Sequence, residues 1–241
     1  MDPTQIQAIQ QLRSLIPISL RHAQALLERC AGNPQQAAEH YKNELLQVLA
    51  SKSGLPLEQA REPLHNAGYD LGRALSAIEE ARFTLTQRIL RKHHRDKGRA
   101  LDLIAQAIEV AEQLQRQYWL AFEQLERLAP APRCFMVLHE WLAFEGWEGF
   151  DSALHFHLPQ AITQFRHLQL DALADTLEQA DRRQKHLRAS HAGSDSPSAL
   201  AVRVNQDPLF NGYQDAYNRY RPQLDERLFE WVEQHVPQFP A

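Results

Sequence analysis

Two stretches in the N-terminal third of this chain repeat each other, and this repeat constrains the fold more than any other feature of the sequence. Residues 18–41 (ISLRHAQALLERCAGNPQQAAEHY) align without gaps over residues 55–78 (LPLEQAREPLHNAGYDLGRALSAI). In each copy a helical pattern breaks at Ala-Gly, and Asn33 or Asp70 follows as the N-cap of the next helix. Another helical pattern precedes each copy, and the last helix of the first copy continues into the first helix of the second. The repeat therefore predicts two small units of three helices each.

The composition extends this helical prediction to the whole chain. Glycine is scarce, at 9 of 241 residues, and Ala, Leu, Gln, Glu and Arg far outnumber the β-branched residues. Because straight-chain residues lose little rotamer freedom in a helix, this mixture predicts an all-α protein. No apolar run approaches the roughly 18 residues that a membrane span needs, and residues 1–14 lack the pattern of a secretory signal. We therefore expect a cytoplasmic protein whose two cysteines, Cys30 and Cys134, are buried free thiols.

The second copy of the repeat carries a family resemblance. Residues 54–75 (GLPLEQAREPLHNAGYDLGRAL) combine a loop, a helix, an Ala-Gly break, an acidic cap and a second helix. They resemble the ubiquitin-associated-like (UBA-like) helical modules, including that of elongation factor Ts, and the resemblance covers residues 1–82. In that fold the loop between the first two helices, together with the third helix, docks a protein partner. The resemblance implies partner-binding candidates in the two loops, unless these residues only turn the chain: Ile16, Pro17, Leu55 and Pro56.

Charge is divided unevenly along the sequence. Residues 1–99 carry 14 Lys and Arg against 10 Asp and Glu, whereas residues 100–241 carry 12 against 20. Within 88–99, six Arg and Lys and two His stand against one Asp. This basic run is a nucleic-acid contact or, with no interleaved aromatic residues, a solvated helix face or a domain junction. A further alternative is that it pairs with the acidic half of the same chain. Apolar residues at three- and four-residue spacing, Tyr118 among them, predict one connecting helix over 83–129, with Gly98 as its break.

Residues 138–157 (LHEWLAFEGWEGFDSALHFH) concentrate the side chains that could do chemistry. His139-Glu140 invites comparison with zinc proteases, but that motif needs a second His one turn later, and position 143 is Ala. On a helix His155 and His157 would point about 200° apart and could not share a metal ion. A metal-dependent enzyme using His139, His155 and His157 with Glu140 or Glu148 is therefore kept only as an alternative. No nucleophile elbow or phosphate-binding loop occurs, so we expect no enzyme, no metal and no cofactor.

A second resemblance covers residues 130–241. A helix that enters a turn at Gly146, Gly149 and Phe150, followed by an aromatic-rich helix, is similar to the C-terminal domain of the bacterial DNA-mimic protein family. Two departures stand in this stretch: Trp147 and Glu148 separate the glycines of the turn, and Ser152 replaces an amide side chain. The resemblance implies a non-enzymatic protein-binding domain, of which at least one member imitates DNA with surface carboxylates. It adds these partner-binding candidates: Glu145, Trp147, Glu148 and Asp151.

The sequence thus predicts a non-catalytic protein that binds an unidentified protein partner through its helical modules, and neither nucleic acid directly nor a membrane. One alternative is an acidic DNA mimic that occupies a nucleic-acid-binding protein. Another is the metal-dependent enzyme described above. The domain prediction is a tandem module over 1–82, the connecting helix over 83–129 and a multi-helix domain over 130–241. Within the last, residues 189–206 are expected to form a flexible loop containing a short extended or docked piece.

Overall fold

The prediction of an all-α protein is confirmed by the computed structural model, which describes residues 3–191 and 196–241. Fourteen α-helices, one 3-10 turn and no β-strand occur within these two ranges. Among the described helices, none has both the length and the apolar character needed to cross a membrane. The chain divides into two units, Met1–Phe83 and Thr84–Ala241.

The N-terminal unit contains five helices, and its middle helix belongs to both copies of the repeat. The five are α1 (Pro3–Leu15), α2 (Leu20–Arg29), α3 (Pro34–Ser53), α4 (Leu57–Asn66) and α5 (Leu71–Arg82). As the repeat predicts, α3 ends the first copy and begins the second, so it runs for 20 residues. The side chains of Ser19, Asn33 and Asp70 cap α2, α3 and α5 by accepting backbone N–H groups of the first helical turn.

Each copy of the repeat buries its own apolar cluster. The first copy packs α1, α2 and α3 around Leu12 and Leu26, and the second packs α3, α4 and α5 around Leu49 and Leu64. All four of these leucines are at most 2% exposed. Tyr41 contacts both clusters from α3. The shared helix therefore joins two small cores into one unit, since neither copy alone buries much apolar surface.

The C-terminal unit is a larger bundle around one continuous core. Its helices are α6 (Leu85–Lys92), α7 (Lys97–Ala111), α8 (Phe122–Leu125), α9 (Pro130–Glu148), α10 (Phe150–Ala153), α11 (Leu158–His167), α12 (Asp171–Ser190), α13 (Pro197–Gln206) and α14 (Pro208–Gln234), followed by the 3-10 turn Val236–Gln238. The central helix is α9, which packs against α7, α8, α10, α11 and α14. The end of the chain is held by Thr86, whose hydroxyl donates to the Pro240 carbonyl oxygen at 2.8 Å.

The prediction of one connecting helix over 83–129 is wrong. Three shorter helices occupy this segment, and they belong to the core of the C-terminal unit. The first break falls at 93–96, where the Asp96 side chain accepts from the backbone N–H of Arg99 and starts α7. Gly98 therefore lies in the first turn of α7 instead of breaking it. After α7, Gln113 adopts a left-handed backbone at φ +53°, and residues 112–121 leave the helical path.

The prediction of a flexible loop over 189–206 is wrong where the structure describes these residues. Helix α12 continues to Ser190, and the piece expected to be extended or docked is helix α13, which is docked through Val204 in the core and is not extended. The Ser196 side chain accepts from the Ala199 backbone N–H and begins α13. The rest of the expected flexible loop, residues 192–195, lies outside the described residues.

Both cysteines are free thiols, as predicted from the sequence. Cys134 is fully buried in α9, whereas Cys30 at the end of α2 is only half-buried. Burial in apolar surroundings raises the pKa of the Cys134 thiol to about 12, because the thiolate would lose its hydration. Cys134 is therefore an inert core residue.

Asp207 caps α14, and the contribution of the Asp207 carboxylate to stability depends on pH. Its carboxylate accepts from Arg183 Nε at 3.0 Å and Nη2 at 2.5 Å, and from the Phe210 backbone N–H at 2.8 Å. Chiefly because of the hydrogen bond from Arg183, the pKa of Asp207 falls from 3.8 to about 2. A carboxyl with a depressed folded-state pKa stabilises the fold above its unfolded-state pKa, and that stabilisation disappears as the pH falls through the folded-state value.

We therefore expect wild type and Asp207→Asn to differ in stability above pH 3.8 and to converge as the pH approaches about 2. Urea unfolding followed by tryptophan fluorescence measures this, since all four tryptophans lie in the C-terminal unit. The matched control is Asp175→Asn, because Asp175 pairs with Arg166 while its side chain is 58% exposed. A difference for Asp207→Asn that does not shrink toward pH 2 would contradict the assignment.

Candidate functional site: an aromatic surface on the C-terminal unit

Helix α9 ends in a turn that leaves a tryptophan in solvent. Gly149 terminates the helix with φ +88°, a backbone conformation that glycine adopts without a steric penalty. Phe150 follows as the first residue of α10, and its ring is buried in the core. In the last turn of α9, Trp147 is 81% exposed. The expectation that Gly146 shapes this turn is wrong, because Gly146 lies inside α9.

A stack of aromatic rings lies one turn before Trp147. The rings of Phe144 and Phe156 are parallel, with their centroids 4.0 Å apart. Trp119 packs on both, at 5.2 Å from Phe144 and 5.7 Å from Phe156. The Phe122 ring meets the Phe156 ring edge-on, with their centroids 5.6 Å apart. The His157 ring is stacked on the Phe122 ring, with their centroids 3.8 Å apart. Each of these rings therefore packs against at least one other ring of the stack.

The loop 112–121 supplies Trp119, and a buried carboxylate fixes its path. Glu140, on α9, is 1% exposed and accepts from Arg116 Nη1 at 3.2 Å and Nη2 at 2.5 Å. The same carboxylate accepts the backbone N–H of Leu120 at 3.1 Å. Arg116 also donates to Glu109 of α7, and its hydrogen bonds to Glu109 and then to Glu140 raise the pKa of Arg116. The guanidinium is therefore a permanent charge that joins α7, the loop and α9.

This anchored loop presents a second exposed aromatic residue. Tyr118 stands between the anchors Arg116 and Leu120 and is 90% exposed. Tyr118 directly precedes Trp119 in the chain. Trp147 follows Phe144 by about one helical turn on α9. We call Tyr118, Trp119, Phe144, Trp147 and Phe156 the aromatic surface. The Tyr118 ring, held in water on this loop, adds little to the stability of the unit.

The acidic candidates around Trp147 differ in their availability. Glu145 is turned inward, since its side chain is 14% exposed and accepts from Arg221 Nε at 3.3 Å. Asp151 is half-buried, and its carbonyl oxygen accepts from the Gln184 side chain at 2.9 Å. Glu148 alone of the three is exposed. Trp147 and Glu148 are thus the accessible members of this group.

The partner-binding candidates in the N-terminal loops also differ in their exposure to solvent. Ile16 is 3% exposed and belongs to the core of the first copy, so it is not accessible to a partner. Its apolar side chain packs in the buried cluster formed by α1, α2 and α3. Leu55 is half-buried, and Pro17 and Pro56 are exposed.

The three histidines assigned to a metal-dependent enzyme in the alternative prediction contact different neighbours. His139 Nε2 lies 3.3 Å from Asp102 Oδ1, and this contact lowers the pKa of the Asp102 carboxyl. His157 stacks on Phe122, whereas partial burial and then the charge of Arg188 lower the pKa of His155. Across residues 3–191 and 196–241 there is no group of three or more His, Cys, Asp or Glu side chains suited to hold a metal ion.

Sequence reasoning missed the loop half of this surface. Tyr118 fell on a helical apolar stripe and was assigned to a buried face, yet it is in the loop and exposed. The pairing of Arg116 with Glu140 joins residues 24 positions apart, so no local pattern could reveal it. The available signal was the Tyr-Trp pair inside an otherwise polar run, QLQRQYW.

The C-terminal unit is an all-α domain, and comparison with known proteins identifies its family. The chain belongs to the family described as the YfbN C-terminal domain, whose model matches residues 84–237. Over 233 residues it is 29% identical to the protein named "Uncharacterized protein YfbN" of Escherichia coli (strain K12), covering 97% of this chain and 94% of that one. No solved structure matches the chain. The whole aromatic surface lies within the matched residues.

Proposed function

We propose that this chain is a non-catalytic protein-binding protein, and that its C-terminal unit docks a protein partner through the aromatic surface. One observation carries the proposal: Trp147 and Tyr118 are 81% and 90% exposed, and their chain neighbours Phe144 and Trp119 belong to a stack of aromatic rings. Tryptophan and tyrosine dominate the binding energy of protein interfaces, where truncating a central residue costs about 2 kcal/mol or more. The backbones that carry both rings are held by an anchored loop and a helix end, so ordering at the interface is confined mainly to the two side chains.

The charges of the C-terminal unit favour this proposal over DNA mimicry. A mimic needs rows of carboxylates with little positive charge between them. Of the 21 Asp and Glu residues in 84–241, ten are instead paired with Arg or Lys of the same unit: Glu109, Glu140, Glu145, Asp175, Glu178, Asp181, Asp207, Asp225, Glu226 and Glu230. The proposed contact is mainly aromatic, so we expect its affinity to change little with salt.

The resemblances to UBA-like modules and to the DNA-mimic family stay predictions, as does the metal-dependent alternative. For the last, the histidines lie in three separate contacts, and no further observation favours it. The DNA-mimic alternative differs from the aromatic proposal in its salt dependence, which gives the experiment a second outcome.

Site-specific photo-crosslinking tests the proposal in cells of the source organism. A photoreactive phenylalanine analogue replaces Trp147 or, separately, Tyr118 in the full chain. We expect both positions to crosslink to the same protein, because both flank one surface. Val202, which is 52% exposed on α13, is the control position and should not give that product. The product should persist when lysates are crosslinked at high salt.

Trp147→Ala then measures the strength of the contact. With the crosslinked protein purified, we expect the affinity to fall about 30-fold or more, the equivalent of about 2 kcal/mol. The stability of the variant should stay within about 0.5 kcal/mol of wild type, because the side chain is exposed. Failure to crosslink at both positions, or equal crosslinking at Val202, would refute the proposal. A partner bound only at low salt would support the DNA-mimic alternative instead.

A further inference from the structure

The two chain segments that carry the aromatic surface, residues 112–123 and 144–157, are poor in cations. Residues 134–165 contain no Lys or Arg, and residues 100–126 contain only Arg116. The Arg116 guanidinium donates to two carboxylates of its own unit, so its charge is already balanced. The segments therefore offer a partner no free Lys or Arg of their own.

Helices α12 and α14 contact α10 and α9, and three of their cations are engaged or partly covered. Arg221 of α14 pairs with Glu145. Lys185 of α12 pairs with Asp181, while Arg188 of α12 is half-buried and its Nε is enclosed. Two of the three are thus neutralised by carboxylates and the third is partly covered, so they form no basic patch beside the rings.

The unpaired charges that the two segments expose are carboxylates. Glu148 follows Trp147 directly at the end of α9. Glu112 stands where α7 gives way to the loop, and Glu123 lies in α8, just after the loop. All three carboxylate side chains are exposed, and none of them forms an ion pair in the described part of the chain. The solvent side of these segments is therefore acidic.

Charge separates the kinds of partner that exposed tryptophan and tyrosine rings can bind. Single-stranded nucleic acid stacks its bases on such rings, but its binding sites combine them with Lys and Arg along the phosphates. Membrane-surface segments place tryptophan beside Lys and Arg, which meet anionic lipid head groups. The exposed carboxylates of this surface repel phosphate in both cases. A cationic protein segment is instead attracted both by the carboxylates and by the faces of the rings.

We propose that the segment of the partner protein that covers the aromatic surface is basic, and that its Arg or Lys side chains lie over the Trp147 ring and beside Glu148. This inference rests on the proposed function, because it assigns the chemistry of the partner at the same surface. Tryptophan offers a cation the most favourable aromatic face, and the exposed Tyr118 ring offers a second one. A cation that is covered by the contact is screened less by salt than an exposed ion pair, so weak salt dependence is expected here as well.

A displayed library of random linear peptides tests the inference against the full chain. Peptides are selected for binding to the wild-type protein after depletion on Trp147→Ala, which keeps only the peptides that need the Trp147 ring. We expect Arg and Lys to be enriched among the selected peptides, and Asp and Glu to be depleted, relative to the starting library.

Neutral substitutions in a selected peptide separate the cation from the rest of the contact. Each arginine is replaced in turn by citrulline, or each lysine by norleucine, which keeps the length of the side chain and removes its charge. At the position that covers the ring, the affinity should fall about 10-fold. Trp147→Leu keeps an apolar side chain without an aromatic face, so on this variant the cationic and neutral peptides should differ only about threefold, the share left to Glu148.

Glu148→Gln measures the contribution of the carboxylate beside the ring. It should lower the affinity of the cationic peptide about threefold, as expected for one exposed ion pair. The matched control is Glu28→Gln, because Glu28 is exposed on α2 in the other unit, and this variant should bind like wild type.

Several results would overturn the inference. Selected peptides without enrichment of Arg and Lys would do so, as would neutral peptides that bind as well as cationic ones, or a selection that yields no peptide dependent on Trp147. A dimer of the wild-type chain that Trp147→Ala loses in sedimentation would also overturn it, since a second copy would then be the occupant. Crosslinking at Trp147 and Tyr118 in cells does not depend on the charge of the partner segment, so failure here is distinguishable from failure of the proposed function.

Discussion

Replacing Trp141 with Ala is expected to lower the free energy of unfolding of the C-terminal unit by about 4 kcal/mol. Trp141 is fully buried at the centre of α9, and its indole N–H donates to the Ala153 carbonyl oxygen at 3.1 Å. Its ring meets Phe165 and Tyr217 edge-on, with centroids 5.6 and 5.9 Å away. The substitution removes these contacts, leaves a cavity that the surrounding helices cannot fill, and removes one of the two hydrogen bonds to the Ala153 carbonyl oxygen, which still accepts from the Phe156 backbone N–H.

Urea unfolding monitored by the fluorescence of the other three tryptophans measures this loss. Trp141→Phe is the matched variant, because it keeps an aromatic ring but not the donor, and its loss should be smaller. Trp147→Ala removes the same residue type from the end of the same helix and should change stability by less than about 0.5 kcal/mol. If the two alanine variants lost similar stability, the central position of Trp141 in the core would be wrong.

Glu140→Ala is expected to destabilise the same unit by about 3 kcal/mol. Removal of the carboxylate leaves the Leu120 N–H unsatisfied and Arg116 with only Glu109, while the loop 112–121 loses its attachment to α9. Breaking a buried ion pair from one side is costly because the remaining charge keeps its desolvation penalty. We place the value at the lower end of the range for buried pairs, since the Arg116 side chain is 33% exposed.

The variant should also loosen the aromatic surface. Trp119 depends on the loop for its position against Phe144 and Phe156, so we expect weaker crosslinking at Tyr118 than at Trp147 in Glu140→Ala. Glu140→Gln retains the shape and one acceptor oxygen, and its stability should lie between those of wild type and Glu140→Ala. Hydrogen exchange of the Leu120 amide gives a direct reading, because its protection should fall to that of an exposed loop. Unchanged protection would contradict the anchoring role of Glu140.

The corrections to the sequence-based predictions have a common cause. Residues 112–121 have the composition of a helix, yet they form a loop. In the loop, the Glu140 carboxylate accepts hydrogen bonds from the Arg116 guanidinium and the Leu120 backbone N–H. Ile16 resembles a docking residue of a loop, but it is buried by α1, α2 and α3. In each case a contact distant in sequence outweighed a local preference.

The sequence by itself determined the helical class, the repeat, the caps at Ser19, Asn33 and Asp70 and the continuous helix α3. These features depend on periodicity and on hydrogen bonds within one turn, which neighbouring residues control. Only the tertiary structure decided which rings reach solvent and which path the loop 112–121 takes. Exposure at Trp147 and Tyr118 depends on where other helices pack, and the loop path depends on the pairing of Arg116 with Glu140. Such pairings join residues whose separation in sequence carries no signal of their proximity.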